Sequence, residues 1–235
     1  MTDWQVITGD CLEVMRGMDA GSVDAVIADP PYGINTKSDG QGKLSPWGDL
    51  CNSAFWYSAW IAECRRILKP SGCLWSCLNW RSMVTFQKAA CDLAWPIESM
   101  LVWDKSWIGP GGLRGLRPSY ELVALWAMPS FAIADRGLPD IQTFSWSSVK
   151  PHGHPAEKPI GLMSWLIGHS TPRGGLVFDP FVGSGTTGAA AVDLDRRFVG
   201  VELDLKWADI ARARIAKAAE QARQLELGIE HKQAA

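Results

Sequence analysis

An α/β fold built on an open sheet is predicted by three features of the 235-residue sequence. Strand-length apolar runs alternate with stretches of helical periodicity along the chain. Two of those runs end in unusual segments: residues 23–28 lead into Asp29-Pro30-Pro31-Tyr32, and residues 176–178 lead into Asp179-Pro180-Phe181-Val182-Gly183-Ser184-Gly185-Thr186. A third run, residues 197–201, ends in Glu202, 19 residues after Gly183. That spacing is where α/β nucleotide folds place an acid for ribose hydroxyls.

Taken in order, residues 4–8 read as a strand ending at Gly9-Asp10, and residues 11–18 as a helix with Leu12, Met15 and Met18 on one face. Asp10 suits a donor group such as an adenine amine, or simply a helix cap. The strand at 23–28 follows, and two consecutive prolines stop it because neither can donate to a ladder. Residues 33–50 are glycine-rich with no apolar period, and read as a loop beside this strand end. A helix is expected from a cap at Asn52 or Ser53 to about residue 68, closed by Lys69-Pro70-Ser71-Gly72. Further strands are expected at 73–78, 97–103 and 120–128, with a helix at 80–93. Residues 104–119 hold Lys105, Arg114, Arg117 and Trp107 among glycines. Such a flexible cationic loop suits phosphate contact and base eversion.

Residues 129–151 read as irregular, with Lys150 among them. His154-Pro155-Ala156-Glu157-Lys158-Pro159 then opens a helix carrying Ile160, Met163, Leu166 and Ile167 on one face. In the segment from Asp179, glycines permit close backbone approach, and the alanine-rich helix from Thr186 offers its N-terminus to an anionic group. The pattern is not GxGxxG, which disfavours a dinucleotide. Residues 204–227 form a long polar helix, read as a solvated outer layer.

Bulk properties narrow the function. A hydrophobic content of 47% supports a substantial core, and a net charge of -2 leaves any polyanion site to a local patch. Six cysteines show no CxxC pair and no Pro-Cys nucleophile context, so reduced thiols are expected and no metal site. With no basic region leading into an apolar run and no membrane-length apolar segment, a cytoplasmic protein is expected. At the first strand end, Asp29 and the Pro30 carbonyl can accept the hydrogens of an exocyclic amine, while Tyr32 can stack on a base. This combination suits methyl transfer to that amine.

Together these residues resemble the β-class amino-methyltransferases of DNA, which use S-adenosylmethionine (AdoMet). The resemblance rests on Asp-Pro-Pro-Tyr, His-Pro-Ala-Glu-Lys-Pro and Phe-Asp-Pro-Phe-Val-Gly-Ser-Gly-Thr-Thr in that order, with Lys105 and Tyr120-Glu121 in the middle region. It implies a Rossmann-like fold with a seven-stranded, mainly parallel sheet, one antiparallel strand and helices on both faces. By resemblance, Asp179, Phe181, Gly183, Ser184, Gly185 and Thr186 hold the methionine part of AdoMet with help from Lys158. Glu202 takes the ribose hydroxyls, and Asp10 with the Cys11 amide takes the adenine ring. Asp29, Pro30, Pro31 and Tyr32 form the catalytic motif and receive a base flipped from double-stranded DNA.

The aspartate opening that motif favours adenine N6 over cytosine N4, with an RNA base or a non-catalytic binding module as alternatives. A cytosine-C5 reaction is disfavoured by the missing nucleophile. No separate recognition domain is visible in a chain read as one domain. Residues 33–50, 104–119 and 129–153 are therefore the candidate DNA-reading loops, with Lys105, Arg114, Arg117 and Lys150 as candidate contacts and a homodimer as a candidate assembly.

Overall fold

The computed structural model describes residues 3–31, 54–109, 115–147, 149 and 151–233. Its elements run β1 (Trp4–Thr8), α1 (Cys11–Arg16), β2 (Val23–Ala28), α2 (Ala54–Ile67), β3 (Leu68–Leu78), α3 (Met83–Asp92), β4 (Ser99–Asp104), β5 (Tyr120–Ala127), β6 (Ile141–Thr143), α4 (Ile160–Ser170), β7 (Leu176–Asp179), α5 (Thr186–Asp193), β8 (Arg197–Glu202) and α6 (Leu205–Gln233). The strands form one sheet in the order β1-β8-β7-β2-β3-β5-β4-β6. Only β5 runs antiparallel to its neighbours, β3 and β4. The predicted α/β class and mixed sheet hold, with one strand more than the expected seven. That eighth strand, β6, is three residues long and forms the sheet edge by pairing in parallel with β4. It is too short to carry a periodic signal within a stretch that otherwise reads as irregular.

The alternation of each strand divides the core between two faces. On one side, Val26, Leu74, Trp126 and Phe178 pack with Met15, Trp60 and Phe86 of α1–α3. On the other, Ile27, Trp75, Val123 and Val177 pack with Leu166, Ala190 and Ala211 of α4–α6. Central β2 is buried at all six positions. The one acid there, Asp24, is satisfied by the Lys69 ammonium at 2.8 Å and by the Leu176 N–H at 2.8 Å. A buried carboxylate is tolerable when it is paired in this way.

Residues 69–72 do not form the helix-ending turn expected of them. The chain enters β3 directly from α2, and the register jumps from Val23 opposite Leu68 to Ala25 opposite Cys73. The Lys-Pro-Ser-Gly segment is a bulge, with Gly72 so close to β2 that a Cβ would lie 2.8 Å from the Asp24 carbonyl oxygen.

Beyond β2 the chain continues to α2 on one face, whereas β7 continues to α5 on the other, and the two strands are neighbours. Connections therefore diverge between β2 and β7, opening a crevice at the carboxyl ends of the strands. Asp29 and Asp179 flank it.

Candidate active site

Three carboxylates converge on that crevice from three parallel strands. Asp29 follows β2, Asp179 ends β7 and Glu202 ends β8. Asp179 is 3% exposed, and its Oδ1 accepts the Phe181 N–H at 2.9 Å. Burial pushes its carboxyl up to about 7, a shift opposed by the Thr187 hydroxyl and the Phe181 N–H and reinforced by Asp29 and Glu202. Glu202 accepts the Gly183 N–H at 2.8 Å and the Asp204 N–H at 3.0 Å, one on each oxygen. Each oxygen retains a second acceptor direction for a hydroxyl.

The turn between Asp179 and α5 needs its glycines. Gly183 and Gly185 have φ of 53° and 83°, in the left-handed region. A Cβ on Gly185 would meet the Ala211 Cα at 2.9 Å, so the turn also sets the approach of α5 to α6. Ser184 and Thr186 are both buried, and their hydroxyls accept from the Arg214 guanidinium at 3.2 and 2.8 Å. Arg214 is in turn paired with Glu157 at 3.0 Å, and Glu157 with His152 at 3.0 Å. Helix α6 is therefore more than the solvated layer expected of it: Ala208, Ala211 and Ile215 are fully buried, and Arg214 buttresses the glycine turn. The i, i+3, i+7 spacing of those three apolar residues was the available signal.

The Phe181 ring is turned away into an aromatic cluster, 5.9 Å from Trp56 and 5.5 Å from Trp60. His154 occupies a place that the sequence alone does not point to. A Cβ on Gly183 would lie 3.3 Å from its Cε1, and its ring sits edge-on to Trp207 at 4.6 Å. Burial lowers the His154 pKa, with Asp29 and Glu202 acting in the opposite sense. Asp10 caps α1, its Oδ1 accepting from Leu12 and Glu13 N–H at 2.8 and 3.0 Å. The adjacent Cys11 thiol is buried and is pushed up to about 12.

The Asp-Pro-Pro segment is rigidly held. Pro30 is buried, and the Pro31 carbonyl accepts the Tyr57 hydroxyl at 2.5 Å. Tyr57, fully buried, packs on Phe86 at 4.8 Å. Lys158 donates to Asp29 Oδ2 at 2.6 Å and lies 3.4 Å from Glu121 Oε2, while Lys105 reaches Glu121 Oε1 at 2.5 Å. The Lys158 side chain is only 8% exposed. Burial alone would lower its pKa; Asp29 and Glu121 outweigh that and hold the ammonium above its ordinary value. Lys158 is thus brought beside Asp29 in particular.

The candidate DNA contacts fare differently. Lys105 is committed to Glu121 and lies over the Trp103 ring at 5.1 Å. Arg117 donates to the carbonyls of Gly109 and Ile108 at 2.8 and 3.1 Å, closing its own loop. Tyr32, Arg114, Lys150 and the 33–50 segment lie outside the described residues. Among the described residues no helix is long and apolar enough to cross a membrane, and no cluster of three or more His, Cys, Asp or Glu could hold a metal ion.

A glycine turn and an acid on the next strand, set at a topological switch point, define a Rossmann-like methyltransferase fold. Residues 23–213 match the family model described as DNA methylase, of N6/N4 type, and the chain belongs to that family. It is a DNA methyltransferase, and AdoMet is its methyl donor. It is 29% identical over 240 residues to the type II methyltransferase M2.MboI of Moraxella bovis, covering 90% of this chain and 87% of that one. Among solved structures, the cytosine-N4-specific PvuII DNA methyltransferase superposes with a TM-score of 0.74 at 17% identity, covering 94% of this chain and 93% of the other. The M1.HpyAVI–SAM complex gives 0.68 at 20% identity, over 90% and 98%.

The residues present fit this cofactor. Burial, reinforced by the neighbouring Asp29 and Glu202 carboxylates, disfavours the ionised form of Asp179. A ligand carrying both a sulfonium and an ammonium offsets this.

Proposed function

We propose that the chain methylates the N6 amine of an adenine flipped out of double-stranded DNA. The observation that carries this reading is the placement of Asp29, next to a carbonyl segment pinned by Tyr57, across the crevice from the glycine turn. The Asp29 carboxylate and the Pro30 carbonyl accept the two amine hydrogens and turn the nitrogen lone pair into the crevice. Tyr32 stacks on the base, as its position in the motif suggests. AdoMet, when bound, supplies an electrophilic methyl group. Asp179 and Glu202 would hold its ammonium and ribose hydroxyls, the Gly183–Gly185 turn would receive its carboxylate, and Asp10 with the Cys11 amide would receive its adenine. Catalysis is then positioning, together with stabilisation of the positive charge that develops on the amine nitrogen. The aspartate at position 29 supports adenine as the target.

The deciding experiment incubates the protein with labelled AdoMet and unmethylated genomic DNA, then resolves the nucleosides. Labelled N6-methyladenine is expected, and N4-methylcytosine alone would replace adenine with cytosine as the target.

Cofactor affinity should also depend on pH, with a sign that follows from Asp179. Its carboxyl titrates near 7 without ligand, and a bound cation favours the ionised form. Below 7 the acid must lose its proton on binding, so affinity rises as pH increases through 7, by about tenfold between pH 6 and 8. Calorimetry in two buffers of different ionisation enthalpy should show proton release at pH 6. A dissociation constant flat across this range would remove Asp179 from the cofactor site.

A further inference from the structure

A line of alternating charges runs from the crevice into the candidate DNA-reading region: Asp29, Lys158, Glu121, Lys105. Each comes from a different segment, namely the end of β2, the turn before α4, the start of β5 and the end of β4. The two contacts of Lys158 are unequal. Its ammonium is hydrogen-bonded to Asp29 Oδ2 at 2.6 Å but is 3.4 Å from Glu121 Oε2, and among the described residues that buried oxygen has this long ion-pair contact and no well-aligned hydrogen bond. A buried carboxylate oxygen held only by a long contact is costly and calls for an explanation. Here the donor stands at the long limit of bonding distance, 3.4 Å away, while the acid it now serves more closely is the one proposed to receive the substrate amine.

We propose that Glu121 is a positioning residue for methyl transfer: it receives the Lys158 ammonium when Asp29 turns its carboxylate to the target amine. This inference rests on the amine-accepting role proposed for Asp29. Without Glu121, the buried Lys158 has Asp29 as its principal anion and competes with the substrate for it. With Glu121, the ammonium shifts a short way between two carboxylates and no charge is left unpaired. Lys105 keeps the receiving group ionised. Burial alone would raise the Glu121 pKa, but Lys158 and Lys105 together hold it below the ordinary range. The Lys105 backbone is bonded to Ser119 and Trp146, so the outer end of the line is anchored between two of the candidate DNA-reading loops.

Three variants test this. Glu121→Gln removes the receiving charge at nearly constant volume. Its kcat should fall about 10- to 100-fold while AdoMet affinity stays within about threefold. Lys105→Met removes the outer cation and keeps the side-chain stem. The charged groups facing Glu121 are Lys105 on the β4 side and Lys158 on the α4 side, with Asp29 and the Cys77 thiol facing Lys158 in turn. Loss of Lys105 therefore raises the Glu121 pKa, and kcat should acquire an acid limb, falling as pH decreases and the carboxylate protonates. In the Lys105→Met/Glu121→Gln double variant that limb should vanish and kcat should stay low.

The proposal is overturned if Glu121→Gln keeps kcat within about twofold of the parent. Should that variant not fold, a Lys105→Met profile with the parent's shape overturns it equally. Asp29→Ala, which leaves no acceptor at that position, separates the two readings. If Asp29→Ala is fully active, the role of Asp29 itself is wrong; if it is inactive while Glu121→Gln is fully active, only the role of Glu121 is wrong.

Discussion

Replacing Asp29 with alanine should reduce kcat by about 10²–10³-fold, the scale on which removal of one preorganised polar group at a reacting centre is felt. The side chain stands just past the end of a strand that is buried throughout, and Tyr57, donating to the Pro31 carbonyl, fixes the chain that follows it. The substitution also removes the carboxylate that holds the buried Lys158 ammonium at 2.6 Å, while its 3.4 Å contact to Glu121 stays in place. Some loss of stability should therefore accompany the loss of rate, since the closer ion pair of a buried charge is lost. Thermal melting and AdoMet titration separate the two effects. A folded variant that binds cofactor but does not transfer methyl is expected, and full activity would rule out Asp29 as the amine acceptor.

Gly185→Ala should have the largest effect on stability. Its φ of 83° is a conformation that costs a side-chain-bearing residue about 1–2 kcal/mol. The new methyl would also meet the Ala211 Cα at 2.9 Å, the Ala211 Cβ at 3.0 Å and its carbonyl oxygen at 3.2 Å. These atoms belong to a helix that is itself packed on the sheet through Ala208 and Ile215, so relief requires moving backbone rather than a side-chain tip. Overpacking of this kind adds about 1–3 kcal/mol, for a total of about 2–5 kcal/mol. This is a large part of the stability of an ordinary domain. A shift of the α5 N-terminus would also disturb the Arg214 bonds to Ser184 and Thr186, so AdoMet binding should weaken along with the urea midpoint. An unchanged midpoint would mean that the turn and α6 are less tightly coupled than their contact implies.

The difference between these two sites and the rest of the crevice is one of range. Asp-Pro-Pro and Gly-Ser-Gly-Thr are legible because their chemistry is local. Prolines end a strand wherever they fall, and glycines alone accept the left-handed turn, so the strands, their ends and the helix from Thr186 could be placed without knowing any neighbour. Glu202 was legible through its spacing from Gly183. The same local reading missed the bulge at 69–72, where lysine, proline and glycine punctuate a strand instead of ending a helix because Asp24 on β2 takes the lysine. It also missed β6, which exists only because β4 offers it an edge.

From its sequence alone, this protein is determined to be an α/β chain with an acid and two prolines at one strand end and a glycine turn and a further acid at two others. Tertiary structure alone decided which charges meet. Lys158 joins Asp29 across 129 residues, Arg214 reaches Glu157 across 57, and Glu121 is left with a buried oxygen facing an ammonium that another acid holds. No periodicity encodes such pairings. They arise because parallel strands deliver their carboxyl ends to one edge of the sheet, where side chains far apart in sequence must satisfy one another away from water.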